Sequence, residues 1–117
     1  MKPIWIEIPT TDIQRAKTFY ESVFDEKLQL LDMGEFKMAI FTSGGFALCQ
    51  LKDVYRPSTE GPLIYLNANP DLNSILEKVA PAGGEILIEK RQISEEQGYM
   101  AVFIDTEGNR LGLRSKN

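Results

Sequence analysis

Few side chains in this sequence are equipped for chemistry, and one type is missing: there is no histidine. Glu7 stands out among those present. It sits inside Ile4-Trp5-Ile6-Glu7-Ile8, a run of β-branched and aromatic residues that reads as a strand closed by Pro9. Strand side chains alternate, so Glu7 and Trp5 share a face. A carboxylate in mid-strand is costly unless it is hydrated or paired. In a functional role it would contact a ligand or act as a general base. In a structural role it would form a salt bridge or lie at an exposed edge. Arg114 offers the opposite charge, and its planar donor fork suits a carboxylate or phosphate. It could equally pair with Glu7 or be solvated near the end of the chain. Tyr65 and Asn67 alternate with Leu63 on another strand, and an aromatic face beside an amide is a common orienting pair in an apolar pocket. Trp5 could stack on a planar ligand or simply pack.

Other reactive types read as inert. Cys49 is the only cysteine, so no intramolecular disulfide can form, which fits a reducing cytoplasm. It follows Leu48 and is expected to point to the helix side of its strand as a buried thiol. Ser58, Thr59 and Ser94 lie in loop-like stretches with no activating base. Gly44-Gly45 and Gly83-Gly84 mark turns, without the strand–loop–helix context of a phosphate site.

The elements that must position these groups come in two rounds. After the first strand, Thr11-Asp12-Ile13-Gln14 fits a capping box with Thr11 as N-cap. Ile13, Ala16, Phe19, Tyr20, Val23 and Phe24 then have amphipathic helical spacing, ending near Asp25. Strands are expected over 27–33, 36–42 and 46–51. A polar connector, 52–61, follows. The pattern then restarts with a strand over 63–67 and a helix begun by Asn69 and Pro70, carrying Leu72, Ile75, Leu76 and Val79 and ended by Pro81-Ala82-Gly83-Gly84. Residues 85–90 read as a strand, 91–98 as a polar loop, and 99–105 and 111–115 as strands. The repeat of about 55 residues, βαβββ twice, is the main organisational feature. Each half would bury its own helix-facing surface, and the two concave faces would form a cleft.

The composition is that of a soluble globular domain, with 43% hydrophobic and 26% charged residues. A net charge of -4 argues against nucleic acid as a partner. The apolar runs are too short for a membrane span, and the start lacks the apolar region of a signal peptide, so a cytoplasmic location is expected.

Several segments together carry a family resemblance: Ile8-Pro9-Thr10-Thr11-Asp12 leading into Ala16-Lys17-Thr18-Phe19-Tyr20, then Ala82-Gly83-Gly84, then Phe103 to Leu111 with Asp105-Thr106-Glu107-Gly108-Asn109 at its centre. In this order, over essentially the whole chain, the sequence resembles the vicinal-oxygen-chelate superfamily, which includes glyoxalase I, bleomycin-resistance proteins and extradiol dioxygenases. The resemblance implies a cleft between the half-sheets, with Trp5 and Glu7 facing it, and a homodimer. In the metalloenzymes of the superfamily, His, Glu or Gln ligands come from the first and last strands of each half. Those positions fall on Trp5, Leu48, Leu63 (or Ile64) and Gly112, and none of these can ligate through its side chain. Hard cations need several converging oxygens, and only one inward carboxylate is found.

The reading is therefore α+β, two βαβββ modules (1–51 and 62–117) with curved mixed sheets around a cleft. It implies metal-independent capture of a small organic molecule by Trp5, Glu7, Tyr65, Asn67 and Arg114, with no metal and no cofactor. Whether the chain is an enzyme stays open, with Glu7 the best candidate for a catalytic group. The alternative is a metal-dependent lyase or dioxygenase using ligands not recognised in the sequence. A third reading is a degenerate member, which a cleft filled by its own side chains would favour.

Overall fold

A computed structural model describes all residues, 1–117. The elements are β1 (Ile6–Pro9), α1 (Ile13–Phe24), β2 (Leu28–Met33), β3 (Phe36–Phe41), β4 (Phe46–Gln50), β5 (Tyr65–Asn67), α2 (Asn73–Leu76), β6 (Glu85–Ser94), β7 (Gly98–Ile104) and β8 (Arg110–Ser115). They form two four-stranded mixed sheets of the same topology, β1-β4-β3-β2 and β5-β8-β7-β6. In each sheet the first strand runs parallel to the last and the remaining pairs are antiparallel. The expected βαβββ repeat is present in both halves.

α1 forms where the apolar spacing places it, burying Ile13, Ala16, Phe19, Tyr20 and Val23 and ending at Asp25 in the left-handed conformation. Its N-cap is Asp12, whose carboxylate accepts from the Arg15 amide at 3.1 Å. The expected Thr11 cap is displaced because Thr11 is engaged elsewhere: both its amide and its hydroxyl donate to Glu107 of the other module. Gln50 accepts from the Ile13 amide at 2.7 Å and settles another free N–H of the first turn.

The second helix is shorter than its apolar stripe suggests. Regular helix covers only Asn73–Leu76, and turns continue from there to Gly83. Asn69 and Pro70 are not its cap and first residue: they are joined by a cis peptide, and the Asn69 side chain accepts instead from the Lys116 amide. Ser115 at the end of β8 accepts from the Leu72 amide. Leu72, Leu76 and Val79 are still buried, so the stripe does its packing without a full helix. The stretch 91–98, expected as a loop, is mostly strand. β6 continues to Ser94 because β7 offers pairing partners up to the turn, across three register shifts, with Arg91 opposite Met100 and Ser94 opposite Gly98. Ladder hydrogen bonds there override a polar sequence that has no strand pattern of its own.

The two modules do not bury their helix-facing surfaces separately. One face of each sheet and both helical segments form a single cluster of 19 buried residues, from Ile8, Leu48 and Phe41 through Phe19 and Tyr20 to Leu66, Phe103 and Leu113. Phe19 meets Phe103 across the module boundary, with ring centroids 6.1 Å apart. Polar contacts lock this packing. The Tyr20 hydroxyl donates to Asp105 at 2.6 Å, and Asn109 Nδ2 donates to Asp105 and to the Pro9 carbonyl. Glu107, its side chain fully buried, accepts from the Thr11 and Asp12 amides and from the Arg15 guanidinium, the last at 2.7 Å. No helix is long and apolar enough to cross a membrane.

Tyr20→Phe leaves a buried Asp105 oxygen short of a donor, and is expected to cost about 1–3 kcal/mol. Urea unfolding should show a lower midpoint at an unchanged slope. Burial pushes the Glu107 carboxyl up, but Arg15 and the two backbone amides outweigh it and hold it below the ordinary range. A depressed folded-state value gives stability that is present above the unfolded value, about 4.3, and is lost as pH falls through the folded one. The stability gap between wild type and Glu107→Gln should therefore be widest near neutral pH and shrink on acidification below that value, as measured by denaturant melts across the acid range.

Candidate functional site

With one face of each sheet committed to the core, the candidate residues lie on the opposite faces. Strand register sets their neighbours. On the first sheet, Glu7 is level with Ala47, and Pro9 with Cys49 and Met38. On the second, Tyr65 is level with Gly112 and Val102, and Asn67 with Arg114 and Met100.

Glu7 makes no salt bridge. Its carboxylate accepts from the Tyr55 hydroxyl at 2.6 Å and from the Trp5 indole at 3.3 Å. Tyr55 belongs to the connector, and its ring stacks on Phe36 with centroids 6.1 Å apart. The connector thus lays an aromatic ring over this face, between β1 and β3. Cys49 lies beneath it. Its thiol faces Glu7 and Tyr55 rather than the helix, while Leu48 points into the core. The sequence expectation for these two neighbours was inverted, because a strand that is apolar on both faces gives no sign of which face is which. Burial, followed by the nearby Glu7 charge, pushes the Cys49 thiol up to about 12. Such a thiol is a poor nucleophile at neutral pH. The Tyr55 hydroxyl, more than any other influence, holds Glu7 below its ordinary value, and Glu7 in turn raises Tyr55. A general base works best with a value near the operating pH, so this carboxylate is better suited to accepting hydrogen bonds than to abstracting protons.

The second group is organised differently. The Tyr65 ring lies flat on Gly112: a Cβ added at Gly112 would come within 2.4 Å of it. The glycine thus provides the seat for an aromatic floor that is 40% exposed. Half-buried Arg114 donates through Nη2 to the Gln97 backbone oxygen at 2.7 Å and to Gln97 Oε1 at 2.9 Å, not to Glu7. Asn67 accepts from the Asn69 amide. Tyr65, Asn67 and Arg114 line an open cavity of about 630 Å³, closed on one side by Glu95, Glu96 and Gln97 of the β6–β7 turn. Trp5 and Glu7 do not line this cavity. The five candidate residues therefore fall into two groups, on different sheets of one chain.

A divalent metal does not fit the expected positions. Trp5, Leu63 and Gly112 carry no ligating side chain, Leu48 is buried in the core, and the open-face neighbours of Leu48 are Ala47 and the protonated Cys49. Nowhere in the chain do three His, Cys, Asp or Glu side chains gather as a ligand set.

Sequence reasoning missed Tyr55 and Gln97. Tyr55 was hidden in a polar connector, where its lone aromatic ring was the available signal. Gln97 lay in a presumed loop and offered none.

Paired βαβββ modules with open faces, joined by a connector, define a protein of the glyoxalase-like fold class. Comparison with known proteins agrees. The family profile described as Glyoxalase/Bleomycin resistance protein/Dioxygenase superfamily matches residues 2–113, and the chain belongs to that superfamily. It is similar to "Putative glyoxylase CFP32" of Mycobacterium tuberculosis, at 30% identity over 98% of this chain and 46% of that protein. It is also 33% identical to a glyoxylase-like domain-containing protein of Didymella fabae, over 89% of this chain and 85% of the other. Among solved structures, a glyoxalase I mutant from Zea mays superimposes with a TM-score of 0.77 at 17% identity, covering 99% of this chain and 45% of the maize chain. The chain spans about half the length of the mycobacterial relative.

Removing the Tyr55 hydroxyl should release Glu7. In Tyr55→Phe, the Glu7 carboxyl titration followed by carbon-13 NMR is expected to move up towards the ordinary glutamate value. An unchanged titration would mean that Tyr55 does not control this carboxylate.

Proposed function

We propose that the chain binds a small organic molecule without a metal, and that the ligand sits on the open face of the second module. The carrying observation is the 630 Å³ cavity whose walls present the Tyr65 ring, the Asn67 amide and the Arg114 guanidinium. An aromatic floor supplies apolar contact, and the two polar groups orient a carboxylate, phosphate or carbonyl oxygen. The matching face of the first module is covered by Tyr55, which makes it a wall rather than a receptacle. A homodimer belongs to this reading. Trp5, which shares the Glu7 carboxylate with Tyr55, is still 43% exposed, and Tyr65 on the open face is 40% exposed. A second copy that sets the Trp5–Glu7 face against the Tyr65–Arg114 face would unite all five candidate residues around one ligand. The free, buried Cys49 suits a reducing compartment, and a cytoplasmic location goes with the proposal.

The superfamily resemblance leaves another reading, a metal-dependent lyase or dioxygenase. That reading needs ligands outside the positions the family uses, and nothing in the side-chain arrangement favours it over metal-free binding.

The test is a thermal-shift screen of metal-free protein against metabolites and divalent cations, with bound species identified by native mass spectrometry. Ligands of the folded state raise the melting temperature by mass action. Organic hits are expected, with Arg114→Gln weakening them by roughly tenfold or more through loss of a charged hydrogen bond. Light scattering should give the mass of a dimer. Stoichiometric zinc, nickel, manganese or iron in protein purified without chelator, with no organic hit, would overturn the proposal in favour of the metalloenzyme.

A further inference from the structure

The two modules match residue by residue on their open faces, and in one of them the space above that face is filled. Met38-Ala39-Ile40-Phe41 of β3 corresponds to Met100-Ala101-Val102-Phe103 of β7. Register extends the match. Met38 is level with Cys49 as Met100 is with Arg114, and Ile40 with Ala47 as Val102 is with Gly112. Glu7 is level with Ala47 as Tyr65 is with Gly112. The Cys49 and Arg114 carbonyls accept from the Thr10 and Ala68 amides, both at 2.8 Å. Glu7, Cys49 and Phe36 are therefore the counterparts of Tyr65, Arg114 and Gly98. Those last three line the 630 Å³ cavity of the second module. In the first module all three counterparts meet Tyr55. Its hydroxyl donates to Glu7 and lies within reach of the Cys49 thiol, and its ring stacks on Phe36. Cys49 is fully buried, whereas Arg114 at the equivalent place is half-buried.

Few bonds hold the segment that carries Tyr55. From residue 52 to 57 its backbone bonds are those of the Val54 and Tyr55 amides to the Leu51 carbonyl, in a turn where Asp53 is left-handed. The Arg56 side chain reaches only Asp53, within the segment, at 4.0 Å. The Tyr55 hydroxyl supplies the hydrogen bond that ties the segment to the sheet. Fixed contacts resume at Ser58, whose amide donates to Asn109 and whose carbonyl accepts from the Arg110 amide. Hollows of about 430 and 300 Å³ flank the segment, and Arg56 lines both. We propose that residues 52–57 form a strap, that Tyr55 plugs the first module's counterpart of the second module's cavity, and that the strap opens by withdrawing this one side chain. Opening breaks one hydrogen bond and one ring stack and leaves the shared core intact, so it requires far less free energy than unfolding. Closed, the first face is a wall. Open, it is a receptacle with Glu7, Cys49 and Phe36 on its floor. The inference holds whatever the second face binds, because it rests on the strap and the face beneath it.

Cys49 reports the opening, since its thiol is buried while Tyr55 is in place. The test labels the full chain with dithiodipyridine, in native buffer and in urea below the unfolding transition. Labelling is expected at a rate that hardly changes with urea, because a local opening exposes little new surface. Tyr55→Phe keeps the ring and drops the hydroxyl, and should speed labelling about tenfold, the effect of one hydrogen bond to a charged group. Tyr55→Ala should speed it further. Val79→Ala opens a cavity in the shared core, and should lower the unfolding midpoint while leaving labelling in native buffer unchanged. Wild-type labelling that follows urea with the slope of global unfolding would overturn the inference. So would acceleration by Val79→Ala and Tyr55→Phe alike, in proportion to the stability each loses, or labelling of the wild type as fast as a free thiol.

Discussion

Everything in this fold turns on two carboxylates of the second module that take donors from the first. Asp105 and Glu107 sit in the β7–β8 turn, and the donors they need include Tyr20, Arg15 and the Thr11 and Asp12 amides of the first half. A buried carboxylate with a missing partner is far more costly than one that is fully bonded. The turn therefore has one low-energy place to dock, at the start of α1, and that place sets how the modules meet. The apolar cluster supplies most of the adhesion, but it is non-directional. Direction comes from the hydrogen bonds.

Docking the modules through their helix-bearing faces has a consequence for function. The other two faces are left open, and a single chain does not bring them together around one cavity. The connector must cross the junction, and in doing so it lays Tyr55 over the first open face. The result is unequal halves. One face has an aromatic cover hydrogen-bonded to Glu7, and the other has an aromatic floor seated on Gly112 beside a free-standing cavity. Gly112 shows the trade directly, because a ligating side chain at that position would need the space that Tyr65 occupies.

The sequence was legible where structure is local. Apolar spacing of 3 and 4 residues located α1 and its end at Asp25. Alternation placed Trp5 beside Glu7 and Tyr65 on the face of Asn67, and the order of elements carried the repeat and the family. It misled where the deciding partner lies far along the chain. Thr11 has a good capping sequence but is taken by Glu107, 96 residues away. Asn69 is drawn from its capping role by Lys116, and β6 runs on through polar residues because β7 is there to pair with it.

What the sequence determined by itself, then, was the order of strands and helices, since this follows from residue type and short-range periodicity; the positions expected to hold a metal, and their want of ligating side chains, came from the family resemblance. Which face of each strand is covered, how the two sheets meet, and which side chain Glu7 and Arg114 find as partners were decided only in the tertiary structure. A strand that is apolar on both sides has no local preference for either face. Long-range hydrogen bonds and burial settle the matter, and they exist only once the chain has closed on itself.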